Sequence, residues 1–355
     1  MAYTTIDDPS AYFQTLLYTG DGNDNRNLVN TGNSDLQPDW IWNKRRDNTG
    51  NHFIFDSSRG VSKIIVTDTN EAESTNTNQL QAFQTDGFQL GSDNGSNGSS
   101  RTMVAWQWKA NGGTTTSFTE SGDNPGGTYQ ANQTAGFSIV RFIGTGANGT
   151  VQHGLGVAPQ VIIHKRTDSG SSNWITYHNS IGTGHNVFLN LTNAKDSDGA
   201  LYFQNTAPTS SVFTAGGYSQ LNENDSPTIA YCFAPIQGYS KFGSYTGNGN
   251  ADGPFIYTGF KPAWVMIKRT DSTSSWHMWD NKREDYDGNP NDSALRADAD
   301  GAENDTTDYS IDFLSNGFKL RNASDLDNNS SGTFIYMAFA ESPFVSSEGV
   351  PTTAR

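Results

Sequence analysis

One pattern occurs three times along this chain of 355 residues, and it limits the possible folds more than any other feature. The segments begin at Pro38, Pro159 and Pro262, 121 and 103 residues apart, and each carries Lys, Arg and Asp at fixed distances from its proline. The three sets are Lys44-Arg45-Asp47, Lys165-Arg166-Asp168 and Lys268-Arg269-Asp271. A glycine pair precedes each segment, at Gly20/Gly22, Gly144/Gly146 and Gly247/Gly249. An aromatic residue stands just before each pair: Tyr18, Phe142 and Tyr245. Downstream come Trp174 with Tyr177-His178, Trp276 with Trp279-Asp280, and His52 with Phe55-Asp56. Next are the pairs Gly87-Phe88, Gly217-Tyr218 and Gly317-Phe318, and each copy closes on an aromatic run ending near Trp108, Phe233 or Phe339. Solenoid repeats run to about 20–50 residues, so a unit of this length reads as a small domain of its own.

Within each copy, short β-branched and aromatic runs alternate with Gly, Asn, Asp and Ser clusters, the pattern of strands joined by turns. No segment keeps a helical period and no heptads occur. The expected class is all-β, with three tandem β-sandwich or jelly-roll domains. The expected divisions are an N-terminal docking segment over 1–10, copies over 11–110, 136–236 and 237–345, a flexible Gly/Ser/Thr-rich linker over 111–135, and a tail over 346–355. Copy one is expected to be hinged and copies two and three fixed against each other. The prolines suit strand starts, the glycines suit tight turns, and the Arg and Asp of the motif read as a turn-closing ion pair.

Aromatics make up 12% of the residues, which argues for a folded chain although only 34% are apolar. The net charge of −15 opposes binding to a phosphate backbone, so nucleic acid is not an expected partner. No apolar run approaches a membrane span, the N-terminus does not read as a secretion signal, and the lone Cys232 allows no disulfide within the chain. Cys232 lies in an apolar run and reads as buried and inert.

The pattern from the glycine pair through the Lys-Arg-x-Asp segment resembles tandem domains in virion proteins of marine tailed phages, including phages of cyanobacteria. So do 133–140, 153–159 and the ending 342–355. The resemblance covers essentially the whole chain. It implies a concanavalin-like or SPRY-like sandwich in each copy and a particle-surface role, often as a tail fibre or structural protein. It supplies no functional residues to carry over.

Catalytic patterns are missing from the sequence. The Glu-x-Asp-x-x-Glu strand of sandwich glycosidases is absent, the eight glutamates fall in no common register, and there is no nucleophile elbow. The chain therefore reads as a non-enzyme. Of the six histidines, His178 and His185 flank a glycine-rich turn, a weak metal signal. D-x-D-G segments at Asp196/Asp198, Asp285/Asp287 and Asp298/Asp300 suit a hard cation, and a structural calcium in copy three at Asp285, Asp287, Asp298 and Asp300 is one expectation. Otherwise no cofactor is expected. Trp174, Trp276 and Trp279 would suit stacking on a host cell-surface glycan, the alternative being core.

The expectation is a virion protein, a tail fibre or tail-associated receptor binder, homo-oligomeric and partnered by other virion proteins. The alternatives are a capsid or vertex decoration protein, a carbohydrate-active enzyme, and a free lectin.

Overall fold

The structure is a computed structural model that describes residues 2–283 and 289–352. It is all-β, with several antiparallel sheets and only short helical turns. Each copy is a sandwich of one large sheet and one small one. In copy one the large sheet runs Phe13–Thr19, Thr102–Trp108, Trp40–Arg45, Phe53–Asp56, Lys63–Val66, Ser74–Thr75. Copy three repeats that order with Ser240–Thr246, Thr333–Pro343, Phe260–Arg269, Trp276–Asp280, Ser293–Arg296, Asn304–Asp305. Copy two repeats its core as Phe137–Ile143, Pro227–Phe233, Val161–Arg166, Ile175–His178, Val187–Phe188. The motif strand is thus central in every copy, which is why its residues are almost wholly buried.

Side chains alternate across these sheets, and the two faces bury different things. In copy one Ile41, Phe55, Met103 and Ala105 pack against the small sheet, while Trp40, Trp42, Trp106 and Trp108 point the other way. In copy two Ile162, Ile175 and Ala230 face the small sheet and Val161, Ile163, Tyr231 and Phe233 face away from it. The second set of faces does not meet water. One apolar cluster contains Trp40 and Trp108 of copy one, Phe137 and Phe233 of copy two, and Trp264 and Phe339 of copy three. Phe339 lies at its centre, with ring centroids 5.5 Å from Trp108, 5.8 Å from Phe233 and 5.8 Å from Trp264. Besides the private cores of copies one and two, the three sandwiches therefore stand around a shared interior.

The chain closes this arrangement into a ring. The Glu73 amide of copy one donates to the Thr167 carbonyl of copy two, and the Lys195 amide of copy two to the Thr270 carbonyl of copy three. The Glu303 amide of copy three donates to the Arg46 carbonyl of copy one. Three equivalent bonds, the last returning to the first copy, define a pseudo-threefold molecule. Its copy one is held on both sides, against the expected hinge.

Two further divisions differ from the sequence reading. The segment 111–135 carries strands Thr116–Phe118 and Gly126–Asn132, and the second pairs along its whole length with Phe137–Ile143. Its start is pinned as well: the Gly112 and Gly113 amides donate to the Asp39 carboxylate at 2.9 Å, and Gln130 donates to Ser57 and Ser58. Both strands, at the rim of the sheet, are polar and largely half-buried or exposed, so their composition resembles a linker although their backbone is paired. The first residues, expected to be a docking arm, are tied to copy three. Tyr3 donates to the Gly259 carbonyl, Thr4 to the Gln237 carbonyl at 2.8 Å, and Ile6 is buried. The Ser347 amide of the tail in turn donates to Asp7. Among the described residues no helix is long and apolar enough to cross a membrane.

Candidate binding surface and the ring junctions

The motif residues divide into two jobs. Arg and Asp pair across the turn in every copy, at 2.6 Å for Arg45–Asp47, 2.7 Å for Arg166–Asp168 and 3.0 Å for Arg269–Asp271. That is the turn-closing pair read from the sequence. Lys does something the spacing did not reveal: each lysine is buried and reaches into the preceding copy. Lys44 Nζ donates to the Asp300 carbonyl, Lys165 Nζ to that of Asn70 at 3.0 Å, and Lys268 Nζ to that of Thr192 at 2.8 Å.

Burial pushes all three ammonium groups down, to about 8 from the ordinary 10.5. Between about pH 8 and pH 10.5 the unfolded chain therefore holds lysine protons that the folded chain has released, so these three groups make stability rise with pH there. Burial raises the Cys232 thiol and several tyrosine hydroxyls, among them Tyr18, Tyr231 and Tyr239, which works the other way, but at about pH 9.5 tyrosines of the unfolded chain have only begun to ionise, so the lysines dominate up to there. The urea midpoint is expected to be higher at pH 9.5 than at pH 8. In the triple variant Lys44→Met, Lys165→Met, Lys268→Met the pH dependence should reverse to the fall set by the thiol and the buried tyrosines. An unchanged pH profile in the triple variant would contradict this assignment.

The tryptophans expected to stack on sugars are interior. Trp174, Trp276 and Trp279 are at most 2% exposed, so no ring face is available to a ligand. Trp174 Nε1–H donates across the junction to the Val66 carbonyl at 2.8 Å, and Trp276 Nε1–H to that of Phe188 at 2.9 Å. Trp279 Nε1–H donates within copy three to the Tyr309 carbonyl.

The described members of the expected calcium site have structural roles of their own. The Asp298 carboxylate accepts the Trp276 amide at 2.7 Å. Asn190 does the same for Trp174 in copy two, and Asp68 for His52 in copy one. A neutral amide serves equally well at this place, so the job belongs to the fold. Asp300 contributes its backbone carbonyl to Lys44. Asp285 and Asp287 lie outside the described residues. Among the described residues no group of three or more His, Cys, Asp or Glu side chains is placed to hold a metal ion.

His178 is buried, with Nε2 at 3.2 Å from the Tyr336 carbonyl of copy three. His185 Nδ1 lies 3.1 Å from the Ile181 carbonyl. His185 also lines an open groove with Asn193, Lys195, Asp196, Ser197 and Thr273, where copies two and three meet. Asp198 sits just before the helical turn Gly199–Phe203 and makes no side-chain cap bond to it.

Two junctions also hold buried charge. At the first, Arg59 pairs with Asp56 and Glu73, and Tyr231 of copy two donates to Asp56 at 2.7 Å. At the junction of copies three and one, Arg283 pairs with Asp280 and Glu303, Arg46 joins Glu303, and Trp106 Nε1–H donates to Asp280.

Sequence reasoning missed a buried asparagine that recurs in every copy. Asn97, Asn222 and Asn328 accept the amide of the second motif glycine (Gly22, Gly146, Gly249) on their backbone carbonyls. Their side-chain oxygens accept the amide of the residue between the glycines. Gly22, Gly146 and Gly249 hold positive φ in these loops, as the turn reading required. The signal was present, an Asn 77, 78 or 81 residues after the first glycine, but its unequal spacing hid it.

These asparagines also give the correct alignment of copy two. The Asn97 amide donates to the Asp93 carbonyl, that of Asn328 to Ser324, and that of Asn222 to Tyr218. Tyr218 therefore matches Asp93 and Ser324, and not Phe88 and Phe318 as the glycine–aromatic pairs suggested. The true partner of those phenylalanines is Phe213, which pairs with Val151 as Phe88 does with Leu28 and Phe318 with Ile256. Copy two also replaces the third strand of its small sheet by the turn Gly199–Phe203. The result is a shallow groove lined by Ala147, Asn148, Leu201, Gln204, Gly217 and Tyr218.

The class that emerges is an all-β protein of three sandwiches closed in a pseudo-threefold ring. The chain belongs to the family described as a domain of unknown function, DUF7483, whose model matches residues 8–343, all three copies together. No curated protein and no solved structure matches the chain.

Proposed function

We propose that this chain is a non-enzymatic structural protein of a bacteriophage particle, tail-associated, whose surface recognises a glycan of the host cell. The observation that carries the reading is how the recurring polar residues are used. Lysine, arginine, aspartate and asparagine of the repeat are consumed in holding turns and junctions, so the scaffold has one purpose, rigidity. Recognition then falls to surface features that differ between copies. The resemblance to marine phage virion proteins supplies the setting, and the acidic surface disfavours nucleic acid as the partner.

A capsid or vertex decoration role is the second reading. The described residues contain no coiled-coil or intertwined stalk of the kind trimeric fibres use, and this favours keeping it. Immunogold labelling of intact parent particles with antibody to the chain separates the two. Label at the tail is the expected result. Label over the head overturns tail placement in favour of decoration, and particles free of label overturn the virion assignment.

A further inference from the structure

In a molecule built three times over, a surface feature found in one copy only is not required by the fold. One such departure is the groove of copy two. Where copy one places Asp93 and copy three Ser324, copy two places Tyr218, 39% exposed. Asp93 caps the turn Asn94–Asn97 through its side chain, whereas Tyr218 makes no such bond to Ser219–Asn222. The capping residue has thus been exchanged for an aromatic ring facing solvent, at the cost of a helix cap.

The surroundings of that ring are built. Tyr202 packs edge to face against Tyr218 at 5.4 Å and fixes its orientation. Leu201, 43% exposed, adds an aliphatic surface beside it. Asn148 accepts the Gly217 amide at 2.8 Å and donates to Gln204 at 3.1 Å, which leaves it a second N–H. Gln204 is held in the left-handed region at φ +51 and donates to the Ala200 carbonyl at 2.9 Å, so both amides are preset. The backbone is tight beneath: a Cβ on Gly217 would meet the Gly146 carbonyl oxygen at 2.7 Å. No carboxylate, ammonium, guanidinium or imidazole lines the groove.

From this we infer that the groove is a saccharide subsite, in which Tyr218 and Leu201 take the apolar face of a neutral pyranose and the Asn148 and Gln204 amides take its hydroxyls. The inference rests on the glycan-binding part of the function proposed above and gives it a location. The lining matches the chemistry of a neutral sugar, an apolar ring face edged by hydrogen-bonding groups, and its lack of charge disfavours phosphate or carboxylate ligands. Its shallowness fits millimolar affinity per subsite, with useful avidity from several chains on one particle.

The test is saturation-transfer difference NMR on the full chain with glucose, galactose, mannose and N-acetylglucosamine, each at millimolar concentration. The informative variant is Tyr218→Ser, which puts into copy two what copy three carries there and so preserves the fold. Val29→Ala, an exposed apolar residue of copy one, is the control. The expected result is transfer to at least one sugar, reduced at least fivefold in Tyr218→Ser and in Asn148→Ala and unchanged in the control. Transfer that persists in Tyr218→Ser overturns this site and leaves glycan recognition standing elsewhere on the chain. Transfer to none of the sugars overturns both the site and the neutral-glycan reading, while the particle labelling still decides the virion assignment.

Discussion

Replacing Arg283 by methionine is expected to lower the unfolding free energy of the whole chain by about 3–5 kcal/mol, the cost typical of breaking a buried ion pair from one side. Both side chains of the Arg283–Asp280 pair are fully buried. Asp280 also accepts the Trp106 indole of copy one and two backbone amides, and Arg283 reaches Glu303 and the Met278 carbonyl. Without the guanidinium, a carboxylate stays in the interior facing donors that only partly offset its burial. Urea denaturation followed by tryptophan fluorescence measures the loss. The double variant Arg283→Met, Asp280→Asn should recover part of it, because the neutral amide still accepts from Trp106. A single-variant loss below about 1 kcal/mol would mean that the junction is open to water.

Phe339→Ala should cost a similar amount, about 3–5 kcal/mol, for a different reason. Its ring touches Phe13 and Trp108 of copy one, Phe233 of copy two, and Tyr239, Phe242 and Trp264 of copy three. Truncation leaves a cavity bounded by large rigid rings, and such a site collapses poorly. Because the rings belong to all three copies, the loss should appear as one downward shift of a single transition. Thermal unfolding with separate probes on copies one and two would show both moving together.

Much of the architecture was legible in the residues. The repeat, the all-β class, the turn-closing Arg–Asp pairs and the buried Cys232 follow from spacing and residue type, which are local properties. Closure was not legible, because it depends on bonds between residues far apart in the chain, such as Lys44 to Asp300 or Tyr231 to Asp56. Nothing in the sequence of one copy announces its partner in another. The tryptophans were ambiguous for a related cause: a central strand with two buried faces gives no sign of whether an aromatic ring looks inward or out.

The groove was hidden behind a false alignment. Gly217-Tyr218 imitates Gly87-Phe88 and Gly317-Phe318, and only the strand pairing reveals that Phe213 holds the buried place. Once that is corrected, Tyr218 becomes the residue that breaks the pattern. Its exposure is then informative, since the core positions of the repeat are already filled.

Differential scanning calorimetry of the intact chain and of Phe339→Ala tests the shared-core ring most directly. The ring predicts one transition in each, with calorimetric and van't Hoff enthalpies equal and the variant shifted down as a whole. Two or three resolved transitions in the intact chain, with only the one belonging to copy three displaced by the substitution, would contradict it.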